Sequence, residues 1–511
     1  MSPVTHFPTR SRCRKGFLLL ALSALAGCAV GPDFHRPPAP AGASYQATPL
    51  TPTSGHGVVG ARISQSFQMG VDIPGRWWEI FHNPTLNALV EQALAHNQSL
   101  KAMQQGLKSA WEQRRIEGAG LYPTLSAEFN PTRNKTARSL SNVPMADEWL
   151  YNLHTAQLNV SYVPDLWGGR RRAIEAAGAQ AEIQKFQLEA TALTLITNLV
   201  EATIQEAEIR GQIDAIRTSV MSERGVLLTL QGQHKLGDAS MQDVAGQQSA
   251  LAQLEASLPS LESQLAQTRD QIATFMGVPP STPLPEFRLE QFMLPATLPV
   301  SFPSDLLNQR PDVRAAQEQI HSAAAQIGVA IANRLPNLQL SATPGQIVND
   351  MQEFFKPGFG NWTIGATIMQ PIFQGGSLLH AQRQARDNLL QANEMYEATV
   401  LSAIQDVADS IHAVTFDADA LEADSTNLEA AENNLRIAQG RLRLGDVSEL
   451  TLLQAQQTTA QARLAYVQAE GARFSDSVGL FQSLGGGWWH RNDLGMTPAQ
   501  QKNLGTSLLP W

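Results

Sequence analysis

Two long stretches of the chain carry apolar residues at a helical spacing that continues almost without interruption. Residues 169–235 and 376–444 each hold nearly seventy positions without a proline and are rich in Ala, Gln, Glu and Leu. A helix rises 1.5 Å per residue, so each stretch could reach about 100 Å. Sustained apolar spacing near 3.5 residues without internal caps is typical of coiled coils. We therefore predict two long helices, each followed by a helix of about 37 residues, at 240–277 and 448–484.

Shorter segments alternate strictly between apolar and polar residues, which is the period of a β-strand. The alternation runs through residues 156–162, 338–343 and 362–368. In a membrane barrel one face of such a strand meets lipid and the other meets water, but a soluble sheet with one wet face gives the same pattern. With two strands in each half of the chain, four strands cannot close a barrel, and an open edge cannot lie in lipid. If these strands span a membrane, several chains must pool them.

The whole pattern occurs twice, about 208 residues apart. The tetrapeptide KLGD at 235–238 recurs as RLGD at 443–446, and PDLWGG at 164–169 recurs as PIFQGG at 371–376. Each copy is predicted to contain a helix, two strands, a long helix opened by the Gly-Gly pair, a Leu-Gly-Asp turn and a last helix. Self-similarity over this length indicates two structural repeats in one chain.

The repeat and the composition divide the chain into six segments. Residues 76–277 and 304–487 are the two copies, which begin with helices at about 84–120 and 304–335. The other segments are a signal peptide at 1–27, a Pro-rich extended tether at 28–75, a Pro-rich linker at 278–303 and a C-terminal tail at 488–511.

The N-terminus has the layout of a lipoprotein signal. A basic stretch at 10–15 precedes the apolar stretch FLLLALSA at 17–24, which is too short for a mature membrane span. The following LAGC, residues 25–28, resembles a bacterial lipobox, and this resemblance implies lipid attachment and a mature N-terminus at Cys28. Ala29 stands in place of the aspartate that marks inner-membrane retention, which implies sorting to the outer membrane. The alternative is an ordinary secretory signal with an incidental cysteine.

Composition excludes several classes of protein. Hydrophobic residues make up 43% of the chain and charged residues 16%, which is too apolar for a disordered chain and too polar for a helical protein with many membrane spans. The net charge of −9 argues against a nucleic-acid-binding surface. Two cysteines, Cys13 and Cys28, cannot build a disulfide framework or a cysteine zinc site.

No catalytic motif accompanies the helices. The sequence has no GxxxxGK[ST] phosphate loop, no GxSxG nucleophile motif and no HxxxH pair. The segment GHGVVG at 55–60 fits GxGxxG but lacks the flanking strand and helix that a dinucleotide site needs. The acid pairs Asp406/Asp409 and Asp417/Asp419 are interpreted as solvated or lumen-lining faces of a long helix. We therefore predict a protein without enzymatic activity, cofactor or metal.

Six segments form an ordered set that covers nearly the whole chain. They are LAGCAVGPDFHRPPAP (25–40), RWWEIFHNPTLNALVEQAL (76–94), RPDVRAAQEQI (310–320), PIFQGG (371–376), RLRLGDVSELTLLQAQ (441–456) and LGGGW (484–488). Together with the duplication, this set resembles the TolC/OprM family of outer-membrane efflux channels, in its lipoprotein (NodT-type) branch.

The resemblance implies a mainly α fold with a small transmembrane β part. Three chains would form a twelve-stranded β-barrel that continues into a twelve-helix periplasmic coiled-coil tunnel. The implied function is the outer-membrane channel of a tripartite efflux system, a passive conduit that exports small molecules. The implied partners are two further copies of the chain, a periplasmic adaptor protein, an inner-membrane pump of the RND type and outer-membrane lipid.

Three other functions remain as alternatives. Within the channel class, the chain could be the outer-membrane conduit of a type I protein secretion system, because the pump partner decides the cargo. A periplasmic adaptor would share the lipid anchor and a coiled-coil hairpin, but it would carry one hairpin and not a duplication. A purely structural coiled-coil lipoprotein would not need Gly-Gly and Pro junctions at matched positions of the two copies.

The resemblance places the closed end of the channel just after the two turns. The gate candidates there are Asp243, Asp446, Glu449, Leu450 and Thr451. The positions at which the family carries constricting aspartates hold Val447, Thr451 and Gln454, so the family's acidic ring is not reproduced residue for residue. A threefold ring of carboxylates at this mouth would attract cations.

The turns themselves are the implied contact with the adaptor. Their candidate residues are Lys235, Gly237, Asp238, Arg443 and Gly445. Two of the acids have another interpretation, since Asp238 and Asp446 could be helix N-caps. Leu450 likewise could pack in the helical core instead of plugging the pore.

Overall fold

The computed structural model describes residues 29–38, 44–46, 49–55, 61, 63–135, 150–491 and 494. The predicted signal peptide and the predicted lipidation site Cys28 lie outside the described residues, and so do residues 56–60 of the GHGVVG segment. Most of the described residues are helical, as the sequence pattern predicts.

The secondary structure follows the chain in two similar series. The α-helices are α1 (Pro84–His96), α2 (Gln98–Ala119), α3 (Gly169–Leu236), α4 (Met241–Phe275), α5 (Leu306–Gln309), α6 (Pro311–Ala332), α7 (Ser377–Arg443) and α8 (Glu449–Ser483). The strands are β1 (Ser66–Met69), β2 (Thr124–Lys135), β3 (Leu150–Tyr162), β4 (Thr297–Val300), β5 (Asn337–Val348) and β6 (Gly360–Met369).

The two long helices are present at the predicted places. Helix α3 has 68 residues and α7 has 67, and each is followed by a helix of 35 residues, α4 or α8. Across the described ranges, no helix has both the length and the hydropathy that a membrane span requires.

The first helix of each copy is split, whereas the sequence pattern predicted one continuous helix. Between α1 and α2 the Asn97 side chain accepts from the amide of Leu100 at 3.0 Å and donates to the carbonyl of Phe275 at 2.9 Å. It thereby caps the N-terminus of α2 and binds this helix end to the last residue of α4. In the second copy, Pro311 opens α6 after Arg310 in an extended conformation, because the residue before a proline avoids helical geometry.

One compact unit contains the larger sheet. Of the described residues it contains 29–36, 108–135, 150–183 and 317–395, and its four strands are antiparallel in the order β2-β3-β5-β6. The strands predicted by alternation are therefore present, as parts of β3, β5 and β6.

The register of this sheet separates apolar from polar residues. One row across the four strands pairs Leu125 with Val160, Val160 with Ala342, and Ala342 with Ile364. The next row, displaced by one residue, runs through Thr124, Ser161, Ser341 and Gly365. Adjacent rows face opposite sides of a sheet. The apolar face is open, with Leu125 69% and Ile364 74% exposed.

The other compact unit contains the described residues between 37 and 107, residues 184–316, and the described residues from 396 to 494, and it holds a core of large aromatic side chains. The rings of Trp77 and Phe481 stack there with centroids 5.6 Å apart. Strands β1 and β4, which belong to segments predicted to be extended tether and linker, pair as a small parallel sheet. Leu298 and Val300 of β4 are fully buried, so their backbone needs the hydrogen bonds that β1 supplies.

The C-terminal segment is fastened in this unit as well. Trp488 donates its indole N–H to the carbonyl of Gln309 at 2.5 Å, and His490 Nε2 lies 2.7 Å from the Asp72 carboxylate. The tail, the tether and the start of the second copy thus contact one another.

Candidate functional site

The two helix–turn–helix tips close with the same backbone geometry. Gly237 follows α3 with φ of 88° and Gly445 follows α7 with φ of 72°, a region that favours glycine. In the first tip, the amide of Gly237 donates to the carbonyl of His234 at 3.0 Å, and the amide of Asp238 donates to that of Gln233 at 2.9 Å. The equivalent bonds of the second tip measure 2.9 and 3.0 Å. This Schellman pairing satisfies carbonyls that the helix end would leave unpaired.

Asp238 and Asp446 do not cap the following helices, so that interpretation is wrong. The N-cap of α4 is Ser240 and the N-cap of α8 is Ser448. The Schellman bonds use the amides of both aspartates and place them at the second position past the helix end. The Asp446 carboxylate instead pairs with Arg441 of the preceding helix at 2.8 Å.

The gate candidate Asp243 is held by a capping box. Its amide donates to the Ser240 hydroxyl oxygen at 3.1 Å, and its carboxylate accepts from the Ser240 amide at 3.2 Å. In the second tip Thr451 stands in the corresponding place, and its hydroxyl lies 3.2 Å from that of Ser448. The Ser448 side chain makes no capping bond to the backbone. The two tips therefore share a turn but differ in how firmly the next helix begins.

Glu449 and Asp243 belong to different copies of the repeat, yet the charge of Asp243 acts on Glu449. Burial raises the pKa of the Glu449 carboxyl above its ordinary value, and the neighbouring charge of Asp243 raises it further. The structure thus brings together two gate candidates that lie more than two hundred residues apart in the sequence.

Leu450 does not pack in the core of the chain, so that interpretation is wrong for this residue. Its side chain is 59% exposed. The buried position is Leu452, which packs with Ala438 and Ala455 and contacts Val226 of the first copy. One face of α8 therefore holds the tip together while Leu450 faces outward.

The candidate adaptor contacts all lie on the surface of the tips. Lys235, Gly237, Asp238, Arg443 and Gly445 are exposed. Sequence reasoning included the leucines that precede the two glycines in the contact turns but did not single them out. Leu236 and Leu444 are 80% and 83% exposed. The signal was available, because an apolar residue inside a polar turn has no local reason to be apolar.

Sequence reasoning also missed a buried acid near the first tip. Glu223 of α3 is 1% exposed, and its carboxylate accepts from the Gln247 side chain of α4 at 2.7 Å. Burial raises the pKa of Glu223 above its ordinary value. The signal here is spacing, since Glu223 follows the buried Ile216 by one heptad.

A second acidic pair lies away from the tips. Asp417, predicted to lie on a solvated or lumen-lining face, is close to the carboxyl group of Asp476 of α8. Burial, together with the Asp417 carboxyl group, raises the pKa of Asp476 to about 8. Ionising two adjacent carboxyl groups is unfavourable because their charges repel each other. Asp476 therefore retains its proton at neutral pH.

A family model described as outer membrane efflux protein matches residues 89–278 and 302–486. The chain is 30% identical over 417 residues to the pyoverdine export outer membrane protein OpmQ of Pseudomonas aeruginosa, which covers 81% of this chain and 87% of that protein. It is 28% identical over 488 residues to the toluene efflux pump outer membrane protein TtgC of Pseudomonas putida, with coverage of 93% and 96%.

A solved structure shares the fold. The outer-membrane channel OprN superimposes with a TM-score of 0.80 at 26% identity, over 90% of this chain and 100% of that one.

Proposed function

The chain belongs to the outer membrane efflux protein family, and from this premise we propose that it is the exit duct of a tripartite efflux system. It is an outer-membrane efflux channel, a passive conduit and not an enzyme. The family resemblance drawn from the sequence is thereby confirmed.

The conduit is a homotrimer whose sheets join into one twelve-stranded barrel. The observation that carries this proposal is the four-stranded sheet with an open apolar face and a polar opposite face. Within the described residues, β2 and β6 each pair on one side only. Free strand edges cannot lie in lipid, and three such sheets joined edge to edge leave none. The apolar row then meets lipid and the polar row lines water.

The periplasmic part of the conduit is a tunnel of helices. Each chain contributes two long helices and two helices of 35 residues, so three chains supply twelve. The tips at Gly237 and Gly445 form its far end. Asp243, Asp446, Glu449, Leu450 and Thr451 are the proposed gate, where acidic side chains from both copies converge.

The cargo is proposed to be small molecules. Two of the relatives are named for the export of pyoverdine and for the efflux of toluene. The tips bind a periplasmic adaptor through Lys235, Gly237, Asp238, Arg443 and Gly445, and the adaptor connects them to an inner-membrane pump of the RND type. A lipid on Cys28 is the proposed additional anchor in the outer membrane.

The first experiment measures the native mass of the detergent-extracted protein and the modification at residue 28. Three copies per particle, each lipidated, are expected. A soluble monomer would contradict the pooled barrel, and an unmodified Cys28 would contradict the lipid anchor.

The second experiment tests export. A bacterial strain that lacks its own outer-membrane efflux channels is given this chain with a matched adaptor and pump, and the retention of a fluorescent efflux substrate is measured. Lower retention is expected with the intact chain. Retention should return to the level of the empty strain when Leu236 and Leu444 are changed to Asp, because the adaptor contact is then charged. Secretion of a co-expressed protein substrate without any small-molecule efflux would favour the protein-secretion alternative.

A further inference from the structure

The segment that follows Cys28 in the sequence is held at one place on its unit. Residues 29–34 lie where β3 gives way to α3 and where α6 gives way to β5. The amide of Val30 donates to the carbonyl of Trp167 at 3.0 Å. The indole of Trp167 in turn donates to the carbonyl of Pro336 at 2.7 Å, which ties the two junctions together.

One guanidinium recognises three groups of this segment. Arg172 donates to the carbonyl of Val30 at 3.2 Å, to the carbonyl of Gly31 at 3.4 Å and to the carboxylate of Asp33 at 2.6 Å. The Arg172 side chain is only 6% exposed, whereas that of Asp33 is 79% exposed. The hydrogen bond from Arg172 holds the pKa of Asp33 below its usual range. A buried cation thus takes its acceptors from a segment that lies on the surface.

Three further side chains complete the recognition. Glu175 accepts from Arg172 at 2.8 Å with one oxygen, and its other oxygen lies 3.1 Å from His321 Nε2. The His321 ring is stacked on Phe34, with centroids 4.5 Å apart and planes within 13°. Glu318 lies 3.0 Å from the other ring nitrogen and so fixes the ring on both sides.

The backbone of the segment fits against glycines. Gly31 has φ of 103°, and a Cβ there would lie 2.6 Å from Gly328 Cα. A Cβ on Gly328 would lie 2.5 Å from the carbonyl oxygen of Val30, and one on Gly168 would lie 2.6 Å from Ala29 Cα. Since any other residue would collide at these positions, the surface is shaped for this close approach.

We propose that Arg172, Glu175, His321 and Gly328 form a docking site for the chain's own N-terminal segment, Ala29–Phe34. The site holds the N-terminal end at the junction of strands and helices by protein contacts alone, whether or not residue 28 carries a lipid. With the segment in place, the buried guanidinium has three of its acceptors from this segment, and without them its burial would be costly. The proposal rests on the proposed function in one respect: in an outer-membrane channel this junction lies at the periplasmic surface of the membrane.

The test uses the full channel without a lipid. The chain is exported with a cleavable signal peptide and carries Cys28→Ser, which leaves no cysteine in the mature protein. A nitroxide is attached through Arg36→Cys, an exposed position two residues past Phe34. The electron paramagnetic resonance spectrum is expected to show an immobilised label. In the added variant Arg172→Met the label should become mobile, while Arg170→Met, which removes an exposed neighbouring arginine, should leave it immobilised.

A second variant guards against a folding defect in Arg172→Met. Asp33 is largely exposed, so Asp33→Asn should not disturb the packing, and it is expected to give a spectrum of intermediate mobility. A mobile label in the unlipidated parent, or an immobilised label in Arg172→Met, would overturn the docking site. Native mass is measured on the same samples, because a mobile label in an intact trimer contradicts the docking site alone, whereas a soluble monomer contradicts the proposed channel.

Discussion

Asp417 and Asp419 are two residues apart on one long helix, but their surroundings differ. Asp419 is exposed, while Asp417 meets Asp476 of the neighbouring helix in a partly buried place. Helical spacing gives the face on which a residue lies, but it does not say which side chain another helix places opposite it. This is why the sequence pattern predicted acids on a solvated or lumen-lining face, whereas the structure places Asp417 beside Asp476 and raises the pKa of Asp476.

The Asp476 pair predicts a pH dependence of stability. The pKa of Asp476 is raised from its ordinary value to about 8 in the folded chain, so the folded state binds the proton more tightly than the unfolded state. The contribution of protonated Asp476 to the free energy of unfolding is fully present below about pH 4, near the pKa of an unfolded Asp. This contribution is lost as pH rises through 8. Asp476→Asn mimics the protonated form and should flatten the fall in thermal stability between pH 5 and pH 8. The exposed Asp419→Asn should leave the profile unchanged.

A second prediction at the residue scale concerns the proposed gate. Asp243 and Glu449 place two carboxyl groups per chain near each other at the tips. Changing both to Ala should widen the mouth and lower its negative charge, so the single-channel conductance should rise several-fold and the preference for cations should fall. Planar-bilayer recordings of the purified channel measure both quantities. The control is Glu422→Ala, an exposed acid remote from the turns, and unchanged conductance in the double variant would remove these residues from the gate.

At the scale of elements, the two tips share the Leu-Gly-Asp motif but differ in how the following helix is capped. The Leu-Gly-Asp turns have matching backbone bonds, but only the first is followed by a serine whose side chain caps the next helix. The third helical position decides this, since Asp243 can return a bond to the cap residue, whereas Thr451 shares a contact with the serine hydroxyl instead.

This difference predicts unequal effects of one substitution. Ser240→Ala removes a capping box and should lower the opening free energy of the first turn of α4 by about 1 kcal/mol. Ser448→Ala removes a side chain with no capping bond and should change the first turn of α8 little. Hydrogen exchange of the amides at 241–244 and 449–452 measures both. Equal losses of protection in the two turns would contradict the role of the capping box.

At the scale of the whole molecule, the decisive feature is the sheet that has an apolar face and a polar face. Neighbouring residues of β6 lie on opposite faces, with Ile364 in the apolar row and Thr363 in the polar one. A single chain leaves the apolar row open to its surroundings, which is costly in water and favourable in lipid.

The two faces of the four-stranded sheet should differ in how well they tolerate an introduced charge. Ile364→Asp places a carboxylate toward lipid and should cost up to about 2 kcal/mol per chain, so less trimer should be recovered from the outer-membrane fraction. Thr363→Asp, at the adjacent position on the water face, should assemble normally. Gel migration of unheated and heated membrane samples distinguishes trimer from monomer. Equal recovery of the two variants would mean that the row through Ile364 does not face lipid.

The sequence by itself determined the elements and their order. Prolines are absent from the two long stretches, alternation marks the strands, and Leu-Gly-Asp marks the turns, because these signals act over a few residues and depend on backbone geometry alone. The family could be recognised for the same reason, since its motifs recur in a fixed order along the chain.

Only the tertiary structure decided which side chains meet. The approach of Glu449 to Asp243, the contact of Asp476 with Asp417 and the burial of Arg172 under residues 30–33 each join segments that are distant in sequence. A carboxyl or guanidinium group acquires its charge state and its strength of binding from those neighbours and from the loss of water around them. Local sequence carries neither kind of information, so the position of these groups was predictable while their chemistry was not.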